Sequence, residues 1–486
     1  MRLTLKESTC GLRNSTTRIP FRYGTACLSR CPQATLRVIV EIRGRSQAGF
    51  SGDCLPPSWF DKSPTKDFAA QVADMLRVIA YARNVFEAEF GSESQFFPGW
   101  LQCQTRIQQQ CQNWGLPPLL ASFGASLLER AMIDAICRWH QVPFARAVRE
   151  NLLGIDAGLV HPELRGREPR QWLPREPSPC VFVRQTVGLG DPLTREDIAP
   201  AERLEDGWPQ AIEDYVTRRG VRYCKIKVSN QLDHDLARLT RIAEILQRHL
   251  GDHFRVTLDG NEQYKHAYEF EQLIDRIEAT PALATLWNQV LVIEQPFDRA
   301  IALQADQIGE LRALSSRKPV IIDESDGSLD AFAEAARLGY RGVSSKNCKG
   351  TFKSLLNAGL AWLWNQERGT ADHFVMTGED LCSVGIIPTQ ADLCLAATLG
   401  LRHVERNGHH YHPGLTYLPP EERRAALSAH ADFYAEEHGI IGPAIVDGQF
   451  QLGSLQCPGF GFAVEPNMSA RTPAEEWRFE SLWEAG

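Results

Sequence analysis

Two lysines spaced one residue apart, Lys225 and Lys227 in Tyr223-Cys-Lys-Ile-Lys-Val, open a series of charged residues that each close a short apolar run. Asp259 and Asn261 follow in Val256-Thr-Leu-Asp-Gly-Asn, and Glu294 in Leu291-Val-Ile-Glu-Gln-Pro. Asp323 and Glu324 end Val320-Ile-Ile, and Lys346 ends Val343-Ser-Ser. Side chains alternate along a strand, so Lys225 and Lys227 share one direction, as do Asp259 and Asn261. The same rule sends Asp323 and Glu324 opposite ways. Asp323 is assigned to the centre, leaving Glu324 a supporting role against Lys227 or Lys346. Three gathered carboxylates repel one another unless a cation or protons neutralise them. Oxygen ligands without Cys or His select a hard ion such as Mg²⁺. A structural salt bridge explains any one of these strand ends equally well, but five consecutive ones are hard to explain as packing.

The runs that carry these residues belong to a longer alternation. Strands are expected at Cys180–Thr186, Arg222–Val228, Phe254–Asp259, Val290–Glu294, Val320–Asp323, Gly342–Lys346, His373–Thr377 and His403–Arg406, with helical patterns such as Asp233–Leu250 and Leu329–Leu338 between them. Eight such units suggest a parallel barrel, in which all carboxyl ends of the strands open on one face. Upstream, Leu36-Arg-Val-Ile-Val-Glu-Ile-Arg alternates in period two, and the segments from Phe68 and over Ala121–Trp139 have helical spacing. The Pro- and Arg-rich stretch 160–180 reads as a linker or crossover. No P-loop is present, and no Gly-x-Gly-x-x-Gly follows a strand.

Composition narrows the class. A net charge of −8 argues against a nucleic-acid or anionic-membrane surface. No apolar run reaches the roughly 18 residues of a membrane helix. The 13 cysteines are scattered without a Cys-x-x-Cys pair, which suggests free thiols in a reducing cytoplasm over the alternative of disulfides in a secreted chain.

The set Lys225, Lys227, Asp259, Glu294, Asp323 and Lys346, in this order and spacing, resembles the enolase superfamily in its muconate lactonising enzyme/mandelate racemase branch. The strand-six lysine places the resemblance in the muconate lactonising subgroup, since the His–Asp pair of mandelate racemase types is absent from the corresponding strands. The resemblance implies an α/β fold: a (β/α)7β TIM-like barrel with an α+β capping domain built from the N-terminal region and the C-terminal tail. The expected divisions are a cap over 1–175, a barrel over 176–414, and a segment over 415–486 returning to the cap. Arg18-Ile-Pro-Phe21 and Gly49-Phe-Ser-Gly-Asp53 look like the family's N-terminal specificity loops. One departure stands at strand six, where Asn-Cys-Lys349-Gly350-Thr follows Lys346 in place of a Gly-Gly pair, so Lys349 is a rival for the second base.

The implied chemistry is removal of a proton alpha to a substrate carboxylate, with Mg²⁺ on Asp259, Glu294 and Asp323 stabilising the enediolate, the general pattern of this superfamily. Lys227 is the expected base and Lys225 its helper. Their mutual repulsion is expected to lower the Lys227 pKa from the ordinary value of roughly 10.4. Lys346 faces Lys227 across the mouth. Two opposed bases permit racemisation or epimerisation; one base with a charge partner permits dehydration or cycloisomerisation. Substrate contacts are expected from Asn261, Glu379, Glu405, Asn407 and Arg18; Arg18 and Arg22 either bind a distal anionic group or are plain surface residues, and Trp59 and Phe60 either cap the pocket or pack in the lid. The run His409-His-Tyr-His412 reads as a solvated or interface loop and not a metal site. The partner is a small carboxylate, and relatives imply a cytoplasmic homo-oligomer. Competing readings are a carbon–nitrogen lyase of the methylaspartate ammonia-lyase type, which would need a lysine at strand seven where Thr377 and Gly378 stand, and a non-catalytic binding protein of the same fold.

Overall fold

The computed structural model describes residues 1–23 and 26–484. Its first part is an antiparallel sheet of β1 (Arg2–Tyr23), β2 (Ala26–Ile42) and β3 (Arg45–Cys54), in that order. The period-two pattern sets its faces: Leu36, Val38, Val40 and Ile42 are fully buried, whereas Arg37 and Glu41 are not. The two-residue link Arg43-Gly44 has positive φ at both positions (49° and 74°), the geometry that matches the twist of a tight hairpin. The apolar face packs on α1 (Phe68–Glu89) and α3 (Pro118–His140), and α2 (Phe96–Asn113) packs on these two helices. Gly49 allows β3 to lie directly on α3: a Cβ there would stand 2.2 Å from the Ala131 carbonyl oxygen.

Arg18–Phe21 and Gly49–Asp53, expected as loops, are strand residues. Phe21 pairs with Leu28 and Arg22 with Cys27, so the β1–β2 hairpin continues beyond a register shift after Thr16.

Helix α3 is buried on all sides from Leu119 to Arg138, which explains its sealed polar groups. Glu129 accepts the Trp100 Nε1–H at 3.0 Å and the Phe352 backbone N–H at 2.5 Å, joining the cap helices to the helix that follows Lys346. Burial pushes its carboxyl up to about 7. Between about pH 4.3, where the unfolded carboxyl titrates, and that value, the folded state holds a proton the unfolded chain has released. Stability therefore falls as pH rises through this window. Urea denaturation should show this group contributing up to about 1.4 kcal/mol per pH unit, a slope that Glu129→Gln removes. Parallel pH profiles for the two proteins would contradict the assignment.

The barrel consists of β4 (Cys180–Val187), β5 (Tyr223–Lys227), β6 (Arg255–Asp259), β7 (Val290–Glu294), β8 (Val320–Ile322), β9 (Gly342–Ser345), β10 (Val375–Gly378) and β11 (His403–Glu405). All eight are parallel to their neighbours, and His403–Glu405 pairs back to Phe182–Arg184 to close the ring. In the C-terminal tail, β12 (Gln449–Gln451) runs antiparallel along the start of β4, and Thr472–Pro473 pairs with Gly11–Leu12 of the cap sheet. Among the described residues, no helix is long and apolar enough to cross a membrane.

The histidine run is neither solvated nor a loop. Gly408–Tyr411 is a short helix, and His409, His410 and His412 are all buried. His409 pairs with Gln185 and His410 with the Tyr215 hydroxyl, both at 2.9 Å. Burial holds the His410 imidazole down to about 3 and that of His412 to about 4, so both are neutral. Their polarity suggested exposure, but the chain buries them, and one side-chain hydrogen bond each offsets part of the cost for His409 and His410.

Candidate active site

Parallel strands in a closed ring bring their carboxyl ends to one mouth, and the charged residues named from sequence meet there. Lys225 is buried, and its Nζ donates to Glu294 Oε1 at 2.5 Å, Glu405 Oε2 at 2.7 Å and Glu379 Oε2 at 3.2 Å, with Asp259 Oδ2 at 3.0 Å. Lys227 Nζ pairs with Asp259 Oδ2 at 2.5 Å. Lys346 Nζ lies 2.6 Å from Asp323 Oδ2, 3.0 Å from Glu379 Oε2 and 4.7 Å from the Trp59 ring centre. Strands β5 and β9 are four apart in a ring of eight, so Lys227 and Lys346 approach from opposite sides. Both line a cavity of about 260 Å³, together with Asn261, Asp323, Glu324, Glu405 and Asn407. Lys349 does not line it. It sits behind Asp323, bonded to Asp323 Oδ1 at 3.1 Å and Ser344 Oγ at 3.0 Å.

Several expectations change in this setting. The Lys227 ammonium is held above its ordinary pKa, not below it: burial, the largest effect, and Lys225 favour the neutral amine, but Asp259, Glu405 and Glu294 together outweigh them. Lys225 and Lys346 are also raised, as their carboxylates overcome burial. Asp323 and Glu324 both face the cavity. Strand β8 ends at Ile322, so strict alternation no longer applies to them. The partner of Glu324 is Asn261, whose Nδ2 donates to Oε1 at 2.9 Å, and not Lys227 or Lys346. Arg18 is not at the site. Its guanidinium is committed to Asp206 at 2.8 Å and to the His410 carbonyl at 2.8 Å. Glu405 and Asn407 line the floor, with Asn407 Nδ2 donating to Glu405 Oε1 at 3.0 Å and the Thr186 hydroxyl bonding the same oxygen.

Glu379, expected to touch substrate, is instead buried beneath the floor. Its Oε1 accepts from Arg184 Nη2 at 2.7 Å, and Arg184 Nη1 pairs with His403 Nδ1 at 2.7 Å. Burial would raise the Glu379 carboxyl, but Lys225, Lys346 and Arg184 hold it well below the usual range. Arg184 escaped the sequence reading. The one signal was a charge within Val181-Phe-Val-Arg-Gln-Thr, where a fully buried arginine requires a partner. Arg184→Met should lower unfolding stability by about 3–5 kcal/mol, because it leaves a buried carboxylate short of a counter-charge. Adding Glu379→Gln should restore part of that loss in the same denaturation experiment; no recovery would mean that Arg184 acts through packing alone.

The acids are suited to a cation. One oxygen each from Glu294, Asp323 and Glu379 lie within 4.8 Å of one another. Glu294 Oε2 is buried without a hydrogen-bond partner. Burial, then repulsion from Glu379, Asp259 and Asp323, raises the Glu294 carboxyl despite Lys225, a penalty on its charged form that a bound cation would relieve. An all-oxygen set of this kind fits a hard divalent ion. It contains Glu379 where the strand-end reading had Asp259, whose Oδ1 accepts the Asn261 N–H at 2.7 Å and whose Oδ2 accepts Lys227.

Residues 208–348 match the family model described as Enolase C-terminal domain-like. No curated protein matches the chain. Among solved structures, muconate lactonizing enzyme from Pseudomonas fluorescens, complexed with muconolactone, is similar at 17% identity, with 96% of this chain and 98% of that one covered and a TM-score of 0.58. N-succinyl Arg/Lys racemase from Bacillus cereus gives 13% identity, coverage of 97% and 98%, and a TM-score of 0.59. L-Ala-D/L-Glu epimerase from Bacillus subtilis gives 12%, 95%, 99% and 0.56. At these identities the structures establish the fold. Residues 208–348 thus carry an Enolase C-terminal domain-like segment, and the whole chain, a closed parallel barrel under a cap of N-terminal sheet and C-terminal tail, has the fold of the muconate lactonizing enzymes, racemase and epimerase it is similar to.

Proposed function

We propose that the protein is an Mg²⁺-dependent racemase or epimerase that moves the proton alpha to a small substrate carboxylate. The observation that supports this reading best is the pair of lysines, Lys227 and Lys346, entering one cavity from opposite strands with a carboxylate cluster between them. One amine takes the proton from one face of the α-carbon, and the other ammonium returns a proton to the opposite face. Lys225, bonded to Glu294, Glu379 and Glu405, adds fixed positive charge beneath the site and does not itself line up as the second base. The carbanionic charge left on the substrate after proton loss develops in a closed, low-dielectric mouth, where such fixed charges are most effective. Glu294 and Asp323, with Asp259 or Glu379, would hold a divalent cation, which when bound would supply Lewis acidity for a carboxylate that must accept a second negative charge. The neighbours in fold include a racemase of N-succinylated amino acids and a dipeptide epimerase, which agrees with two-base chemistry.

The test is solvent exchange. Acids offered as both enantiomers in D2O with Mg²⁺ should gain deuterium at the α-carbon and interconvert. If no acid in a panel of N-acylated amino acids, dipeptides and hydroxy acids exchanges, the reading fails. Exchange without interconversion would point to a single-base reaction, dehydration or cycloisomerisation.

A further inference from the structure

The cavity has two chemically different halves. Its floor holds the lysines and acids already described. Its outer wall is formed by Phe21, Tyr23, Leu28, Trp59, Leu189 and Leu381. The polar tip of the wall is already engaged: the Tyr23 hydroxyl donates to the Pro57 carbonyl at 2.6 Å, so Tyr23 has no free donor for a ligand. Phe21 is fixed between Tyr23 and Tyr411, at ring separations of 4.8 and 4.1 Å. Trp59 stands edge-on to Phe60 and beside Lys346 Nζ, which puts an aromatic face next to one of the two amines.

Two charged residues border this wall. Asp380 is buried and pairs with Arg406 at 3.0 Å through Oδ2, its Oδ1 lacking a hydrogen-bond partner. Arg22 lines the cavity from an exposed position. Glu405, which might have held an ammonium, has both oxygens occupied by Thr186, Asn407 and Lys225. Two carboxylate oxygens of lining residues are buried without a partner: Glu324 Oε2, beside Asn261, and Asp380 Oδ1, whose other oxygen is held by Arg406; each is suited to an N–H or O–H of a ligand. A second carboxylate or an ammonium seated against the rings and leucines themselves would be desolvated there, and the charges it could reach are only the exposed Arg22 and an Asp380 already paired with Arg406.

We infer that the substrate is a monocarboxylic acid whose side group is bulky, apolar and uncharged, seated against Trp59, Phe21 and Leu381. This rests on the proton-transfer reading for the orientation of the carboxylate toward the floor. One scaffold with three side groups tests it: N-acetylphenylalanine, N-acetylglutamate and N-acetyllysine, with Kd measured by calorimetry in Mg²⁺ alongside α-exchange in D2O. The phenylalanine form is expected to bind at least about tenfold tighter than either charged form. Trp59→Ala should erase most of that preference, and Leu381→Arg should shift it toward the glutamate form. Equal or tighter binding of a charged form by the unmodified protein overturns the inference, as does absence of binding by the phenylalanine form at millimolar concentration. Selective binding without α-exchange would sink the proton-transfer reading and leave the selectivity standing. Exchange of all three acids without preference would do the reverse.

Discussion

Lys227→Ala is expected to slow α-proton exchange by about 10²–10⁴-fold, the usual contribution of a positioned acid–base group, while leaving the fold and the cation affinity intact. The fold should survive because Asp259 keeps other partners: Lys225 Nζ lies 3.0 Å from Oδ2, and the Asn261 N–H donates to Oδ1 at 2.7 Å. Removing the side chain therefore strands no buried charge. Lys346→Ala is a harsher change, since that amine is bonded to both Asp323 and Glu379, and some loss of stability should accompany its loss of rate. The two variants should differ in stereochemistry. With bases on opposite sides, each variant should fail on the enantiomer whose proton faces the missing amine and retain part of the exchange of the other. Equal residual exchange of both enantiomers in both variants would mean that one lysine alone does the chemistry.

Glu294→Gln and Asp323→Asn should each weaken Mg²⁺ binding by about 100-fold or more, measured by calorimetry, because these two acids belong to every grouping of oxygens the mouth can offer; changes merely outside a ligand shell already cost 10–100-fold. The more informative comparison is Asp259→Asn with Glu379→Gln. Glu379 completes the tight three-oxygen group, yet its charge is already shared among Arg184, Lys225 and Lys346. Asp259 shares its charge with Lys225 and Lys227 alone. We therefore expect Asp259→Asn to cost more cation affinity than Glu379→Gln. The opposite order would assign the third ligand to strand seven. Lys227→Ala should not weaken the cation, and loss of Mg²⁺ binding in that variant would show that the lysine organises Asp259 for it.

Much of the barrel was legible because a parallel strand buried on both faces has a distinctive signature: a few apolar residues, then an abrupt charge. Cys180–Thr186 through His403–Arg406 all fall on observed strands, and the chain order of their terminal residues is the order around the ring. The cap was less legible. Period two identified β2 around Leu36–Ile42, but the continuation of β1 and β3 through Arg18–Phe21 and Gly49–Asp53 depended on pairing partners in neighbouring strands. Local composition carries no record of such partners.

The sequence by itself determined which residue types end which strands, and hence that lysines and carboxylates share one mouth, because backbone periodicity and ring closure leave the strand ends nowhere else to go. Only the tertiary structure decided how those charges pair. Arg184 meets Glu379 across 195 positions, Arg18 meets Asp206 across 188, and Glu324 finds Asn261 across 63. The sign of the Lys227 shift followed from the same contacts: two neighbouring lysines in sequence imply repulsion, but an aspartate at 2.5 Å on the next strand outweighs it. Coulomb energies grow steeply as separation and local dielectric fall, so a change of a few ångströms between chain-distant side chains sets protonation states that spacing along the chain leaves open.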